Sequence, residues 1–444
     1  MEQIDKMKNS NFNPVMVKLA IIIVMILLLL IPVSMIKSII IERESQNELV
    51  TEHVSSKWAD KQEIKGPILT IPVSFQTIDK EGQVFNYEKN WYILPDQLNI
   101  KGNVSSKSLE KSIYEVIVYG SIIELNGHFD LNKHLNEPQI KEIHYDNAFL
   151  TIGVSDLKGI KNQLKLNWND EAILAQPGSQ IQGVVKKGVT VPVKIQQGED
   201  YNFKLKMDLQ GSQNLSFIPL GATTNVDITS NWTAPSFVGN FLPDNREISS
   251  EGFTASWKVL QLNRNFPQEW LDDRANNHQL YMDQSRFGMD LIVPLDDYQK
   301  AMRSSKYGIM TIALTFLIFF LVEIMNKTRI HPLQYAMVGL ALCLFYILLV
   351  SISEHSNFNF AFGISSVGII GMISLYSLTL FKNKKLSLML SLILIGIYCF
   401  LFTTLQMVDY ALLLGGIGLT IILGATMFYT RKINWYQLQI DTQS

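Results

Sequence analysis

The chain has 444 residues, 47% hydrophobic and 18% charged, with 38 Lys+Arg against 40 Asp+Glu and a mean hydropathy of +0.13. Soluble domains carry about 25% charged residues, so this shortage excludes an all-soluble enzyme and a disordered chain, and the missing basic excess excludes a nucleic-acid binder. The formal net charge of -2 conceals two parts of opposite sign.

Lys6, Lys8 and Lys18 precede Leu19–Ile36, 18 residues without a charge. At about 1.5 Å per residue this run crosses most of a hydrocarbon core of roughly 30 Å. It exceeds a cleavable signal core of about 7–15 residues, and no small-residue cleavage site follows. Residues 19–40 therefore read as an uncleaved signal anchor behind a cytoplasmic tail, 1–18. Val50, Val54 and Trp58 then recur every fourth residue, which predicts a helix over Ser45–Trp58 continuing out of the span.

Residues 41–306 hold no second span and alternate with a period of two. Leu125, Phe129 and Leu131 face away from Glu124, Asn126, His128 and Asp130. Leu164, Leu166 and Trp168 form another face, Val189, Val191, Val193 and Ile195 a third, and Phe203, Leu205, Met207 and Leu209 a fourth. Phe253, Ala255, Trp257 and Val259 repeat the pattern later. Turn signals fall at Gly82, Pro95, Asn126-Gly127, Pro177-Gly178, Gly198, Gly211 and Pro243-Asp244. One apolar and one polar face predicts antiparallel sheets in a sandwich-like domain. Both cysteines, Cys343 and Cys399, lie outside it in apolar stretches, so no disulfide framework holds it and burial must do so.

A helix over Asp296–Ser305 leads into five further apolar stretches: Tyr307–Val322, Leu333–Ile352, Phe360–Phe381, Leu386–Leu405 and Tyr410–Thr430. Six spans place both termini on one side. With the N-terminus cytoplasmic, Lys6, Lys8, Lys18, Lys327, Arg329, Lys382, Lys384, Lys385, Arg431 and Lys432 are all cytoplasmic, whereas Ser353–Asn359 and Gln406–Asp409 carry no Lys or Arg. The positive-inside rule selects that orientation. It places 41–306 outside with 27 Lys+Arg and 34 Asp+Glu, a net of -7, and leaves +5 on the remainder. The expected architecture is an integral membrane α-helical bundle of one plus five spans (307–430 for the five) with a large inserted β-rich extracytoplasmic domain and a cytoplasmic tail, 431–444.

Chemistry is sparse. None of the seven histidines lies in a metalloprotease motif; His128, Asp130, His134 and His144 form the one grouping that resembles a metal set, and their spacing fits polar strand faces better. G-x-S-x-G, the P-loop and G-x-G-x-x-G are absent. Ser34–Lys37 and Ser108–Lys111 match S-x-x-K without its companion motifs. No catalytic residue, cofactor site or metal site is assigned. Charges near the spans carry more information, because a charge in lipid is costly: Glu323, Glu354, His355 and Asp409 lie at span ends, where water is expected to reach them. Tyr335, Tyr346, Tyr376 and Tyr398 read as packing or interface residues, and Gly416, Thr420 and Gly424 as a small-residue stripe for bundle packing.

Three blocks together resemble the CreD family of bacterial inner-membrane proteins. The first is Trp58 with Gly66-Pro67-Ile68-Leu69-Thr70-Ile71-Pro72. The second runs from Leu215–Gly221 through Ser230–Gly239, Phe241–Pro243 and Gly252–Trp257 to Leu262-Asn-Arg264. The third joins Arg329–Tyr335, Val338–Ala341 and Phe345–Leu349 to Ser351–His355. The resemblance implies a multi-pass inner-membrane protein tied to cell-envelope integrity and envelope stress, without an accepted active site to transfer. Within these blocks Trp232, Pro235, Phe237, Trp257 and Arg264 are candidates for a periplasmic core or partner surface, and Arg329, Glu354 and His355 for functional polar positions at the membrane. The expected role is binding or scaffolding through the periplasmic domain, with the lipid bilayer and envelope proteins or cell-wall material as partners. A solute or ion transporter using the C-terminal bundle and a periplasmic envelope hydrolase are the alternatives.

Overall fold

The structure, a computed structural model, describes residues 14–78, 83–112, 114–132, 135, 137, 139–272, 277–291, 297–326, 328–407 and 410–431. Lys6, Lys8, Gly82, His134, Asp296, Lys327, Asp409 and Lys432, named above, lie outside these. The chain divides into two compact units: Met1–Gln46 with Leu295–Ser444, and Asn47–Pro294.

Helix α1 runs unbroken from Pro14 to Trp58, so the first span and the following amphipathic turns are one element. Helix α2 is His278–Gln284, within the second unit. The others are α3 (Asp297–Lys306), α4 (Gly308–Met325), α5 (Pro332–Ser353), α6 (Phe358–Phe381), α7 (Lys384–Gln406) and α8 (Ala411–Thr430). Among the described residues five helical stretches are long and apolar enough to cross a membrane: the one in α1, Gln299–Met325 across α3 and α4, and α5, α6 and α7. The sixth expected span is α8, whose described apolar part is Leu413–Phe428.

Short polar signals set the helix starts. The ring of His331 accepts from the N–H of Leu333 while Gln334 Oε1 accepts from the His331 N–H, with Pro332 in the first turn; this is a cap at the entry to α5. Asn357 and Asn383 cap α6 and α7 the same way. In the bundle, α1 buries Ile22, Leu29, Val33, Ile36 and Ile40, a stripe at helical spacing, and leaves Leu27, Leu28, Ile31 and Met35 exposed. Gly339 of α5 admits Leu29: a Cβ there would sit 2.2 Å from Leu29 Cδ1. The stripe Gly416, Thr420, Gly424 is exposed and does not pack in the bundle. Gly418 takes that role, lying against the Phe400 ring.

The second unit is β-rich. Its strands are β1 (Gln62–Ile78), β2 (Val84–Ile93), β3 (Gln97–Lys111), β4 (Tyr114–Asp130), β5 (Ile140–Ile143), β6 (Phe149–Val154), β7 (Lys165–Trp168), β8 (Glu171–Leu174), β9 (Gln176–Pro177), β10 (Gly188–Pro192), β11 (Asp200–Ser212), β12 (Asn214–Phe217), β13 (Thr223–Ser230), β14 (Pro235–Gly239), β15 (Asn245–Ser249), β16 (Gly252–Leu260), β17 (Glu269–Leu271) and β18 (Phe287–Leu291). Ten form one sheet, in the order β14-β18-β12-β1-β6-β10-β9 with β2 and β5 also paired to β1 and β17 paired to β2; eight form the other, β15-β16-β13-β3-β4-β11-β7-β8. One apolar core draws on both sheets, including Phe129, Trp168 and Phe203 from one and Leu69, Phe217 and Phe287 from the other.

The alternation of Phe203, Leu205, Met207 and Leu209 is realised in β11, where these four are buried and Asn202, Lys204 and Lys206 are exposed. Strand β1 is instead buried almost continuously from Ile64 to Ile71 because it is central in its sheet. The pairing is antiparallel except at two joints, β1 with β12 and β3 with β13, which are parallel. Asn126-Gly127 is not a turn. It lies inside β4, where a Cβ on Gly127 would fall 1.9 Å from the Gln97 carbonyl oxygen and 2.8 Å from the Phe203 ring. Gly211 likewise lies within β11, under the Tyr119 hydroxyl. Close approach of a neighbouring backbone at Gly127 and of the Tyr119 side chain at Gly211, not chain reversal, requires the two glycines.

Candidate functional sites

At one end of the helical bundle a polar cluster links three helices. Glu323, in the last turn of α4, is 5% exposed. Its carboxylate accepts from the Lys18 ammonium of α1, from the Tyr335 hydroxyl of α5 at 2.9 Å and from the Ile330 N–H at 2.9 Å. The same ammonium donates to the Ile330 carbonyl at 2.8 Å and lies 5.9 Å from the centre of the Tyr335 ring. Glu323 is therefore not a span-end carboxylate in water, as its position suggested. The connection after α4 folds back over it, and its partners replace solvent. Of these groups only Tyr335 was expected to pack; the available clue was an acid and a lysine assigned to the same side of the membrane.

A second ion pair closes the far end of the apolar part of α1, about 37 Å further along at 1.5 Å per residue. Arg43 Nε lies 3.4 Å from Glu354 Oε1, with the Arg43 side chain 46% exposed. Glu354 is the C-cap residue of α5 and His355, exposed, donates its N–H to the Ile352 carbonyl. Arg329 is exposed at the opposite end of the bundle, just before α5. The structure thus ties Glu354 to α1 and does not bring Arg329 to it.

In the β-rich unit, Trp257 is 2% exposed and meets Phe237 and Phe287 at ring distances of 5.7 Å each. Phe237 also meets Phe253 at 5.8 Å, and Pro235 opens the strand that carries it. Trp232 is half-buried against the same core. Arg264, 8% exposed, donates to the carbonyls of Leu220, Gly221 and Phe266 and to Gln268 Oε1, and its guanidinium lies 4.1 Å from the centre of the Phe266 ring. Burial pushes its pKa down to about 10, which leaves it charged under physiological conditions. These five residues hold loops and sheet together. His128 sits in β4 of the eight-stranded sheet, whereas His144 follows β5 of the other and bonds Ser74 Oγ at 2.7 Å. Among the described residues no His, Cys, Asp and Glu grouping can hold a metal.

Sequence reasoning passed over an ionic cleft of about 530 Å³ on the ten-stranded sheet. At Gly66 (φ +135°) the register of β1 against β6 shifts between Lys65 and Ile68, and such a bulge re-aims the neighbouring side chain. Lys65, only 5% exposed, directs its ammonium to Asp283 Oδ1 of α2 at 2.9 Å. Across the cleft Arg286 Nη1 lies 3.6 Å from Glu63 Oε2. Burial pushes the Glu63 carboxyl above its ordinary pKa, an effect that Arg286 opposes. Lys186 and Lys187, exposed on the loop before β10, complete the rim. A second concavity of about 400 Å³ shares Glu63, Ser155 and Arg286 with the first and extends it toward Lys61 and Asn214.

A family model described as "Inner membrane protein CreD" matches residues 14–436 of the chain. The Escherichia coli (strain K12) protein described as "Inner membrane protein CreD" is 33% identical over 419 residues, 93% of this chain and 91% of the relative. The chain belongs to the CreD family. The three blocks that carry the CreD resemblance fall at the end of α1 and in β1, in the stretch from β12 to Arg264, and in α5 with its two flanks. The membership makes the chain a multi-pass inner-membrane protein. Among solved structures, an M1 zinc metallopeptidase from Deinococcus radiodurans has a TM-score of 0.20 and 9% identity over 37% of this chain and 38% of its own. Its substrate-bound E323A mutant also has a TM-score of 0.20 and 9% identity, over 37% of this chain and 39% of its own. Resemblance at that level carries no inference about the CreD fold or its chemistry.

Proposed function

We propose that this CreD-family chain supports cell-envelope integrity by binding envelope material through its β-rich unit, which faces the periplasm, while the helical bundle serves as its anchor. The role is binding or scaffolding rather than catalysis, and envelope proteins or cell-wall material are the partners. The ionic cleft carries this reading. It is a concave, charged site on the unit that the ten basic residues around the spans assign to the outside. The bundle has the character of an anchor, because Lys18 and Arg43, which flank the apolar part of α1, are engaged in interhelical pairs.

A photo-crosslinking residue at Lys187 in cells should capture defined envelope components, and loss of the chain should raise envelope permeability unless an intact cleft is restored. Complementation by a chain lacking the cleft charges as full as that by the unaltered chain would end this proposal. The orientation has its own test: a reporter after Lys385 should be cytoplasmic and one after Asp409 periplasmic. One observation favours transport as a second reading. The hydroxyls of Tyr398 on α7 and of Ser365 and Ser366 on α6 are buried without a hydrogen-bond partner, as groups lining a polar path would be. Flux of small ions through reconstituted vesicles, abolished by Tyr398→Phe, would support it over the anchor.

A further inference from the structure

We propose that the cleft between β1, α2 and the 184–187 loop binds an extended polyanion through its phosphate or carboxylate groups, a ligand class that rests on the binding role proposed above.

Charge is the first argument. The stretch 41–306 carries a net of -7, yet this cleft gathers Lys65, Lys186, Lys187 and Arg286 against only Glu63 and Asp283. A cationic concavity in an acidic domain focuses its field on anions and admits them selectively. Donor geometry is the second. The Lys65 ammonium has three N–H donors but, among the described residues, one hydrogen-bond partner, Asp283, although the residue is nearly inaccessible. A buried ammonium with donors to spare favours a charged acceptor, since charge-assisted bonds are about twice as strong as neutral ones. The guanidinium of Arg286, 59% exposed and 3.6 Å from Glu63, presents a planar fork suited to either oxyanion.

Size and shape argue for a polymer over a free ion. A water takes about 30 Å³ of liquid volume, so a single phosphate, a few waters in size, would fill a small part of the 530 Å³. The adjoining 400 Å³ continues past the shared Glu63 and Arg286 and makes a trough in which successive anionic units meet Arg286 at its middle and Lys186 and Lys187 at one end.

The test uses the full chain in nanodiscs of zwitterionic lipid, titrated with inorganic phosphate, long-chain polyphosphate and polygalacturonate. The two polymers should bind saturably, at least 100-fold more tightly than inorganic phosphate, and should weaken as salt rises. The polymer that binds more tightly tells whether phosphate or carboxylate is the preferred group. Lys65→Met leaves Asp283 unpaired and can impair folding, so the decisive variant is Lys186→Ala with Lys187→Ala on the exposed loop, expected to weaken polymer binding at least tenfold. Equal affinity in that variant, no polymer binding, or binding only when anionic lipid is added to the disc overturns the proposal. If polymers fail while a crosslinker at Lys187 still captures an envelope protein, the anion class falls and the binding role stands; if both fail, both fall.

Discussion

Replacing Glu323 by alanine removes the shared acceptor of Lys18, Tyr335 and the Ile330 N–H. The ammonium left behind is 16% exposed and the phenol is buried, so little water reaches either. Breaking a buried pair by deleting one partner costs about 3–5 kcal/mol, because the other charge stays uncompensated. In a unit of this size each kcal/mol moves the midpoint by about 2–4 °C, so the variant should melt roughly 10 °C below the unaltered chain. Glu323→Gln keeps an acceptor for the hydroxyl and the N–H and loses only the ion pair; its loss should be about half as large. Tyr335→Phe removes one bond to a charged group and should cost about 1.5–3 kcal/mol. Lys18→Met combined with Glu323→Met replaces the pair by apolar volume and should recover most of the loss, since desolvation of both charges is then avoided. Thermal unfolding of detergent-solubilised protein, followed by fluorescence-detected size exclusion, reads all four. A Glu323→Ala midpoint within about 2 °C of the unaltered chain, or a double variant as damaged as the sum of its singles, would refute the account of the cluster as a buried clamp.

The pair at the other end should matter far less: Arg43 is half-exposed, and Arg43→Gln should change stability by less than about 1 kcal/mol in the same assay. Trp257→Ala should cost about 3–5 kcal/mol, seen as protease sensitivity of the β-rich unit, because Phe237 and Phe287 lose their common neighbour. Gly127→Ala should abolish accumulation of folded protein, whereas Gly120→Ala in the same strand, where a Cβ meets nothing within 4 Å, should be tolerated. Burial lowers the pKa of His278, whose ring lies 5.5 Å from that of Trp270. The unfolded chain then binds the proton more readily, so stability is complete above the ordinary pH of about 6.5 and declines as pH falls below it. His278→Phe should flatten that acid limb in melts taken between about pH 5 and 8.

The primary structure alone settles the layout of this protein. Charge-free runs and period-two alternation are local, one-dimensional signals, and each survives in the fold: the first as α1 and α4 to α8, the second as the alternating burial of β11. Trp257 and Phe253 could be placed in a core because their apolar face repeats every second residue. Strand neighbours could not be read in the same way. Asn126-Gly127 has the composition of a turn, and it becomes mid-strand only because the Gln97 backbone passes over the glycine; the parallel joints β1–β12 and β3–β13 depend on which edges the chain finds free after folding back. The sites lie furthest from the local pattern. Lys18 and Glu323 are 305 residues apart, and Lys65 meets an aspartate 218 residues away. Each of these residues taken singly has the character of a solvated surface charge. Burial and a partner of opposite sign gave them another role, and both are properties of packing, which brings distant segments within a few ångströms and removes the water that would otherwise screen them.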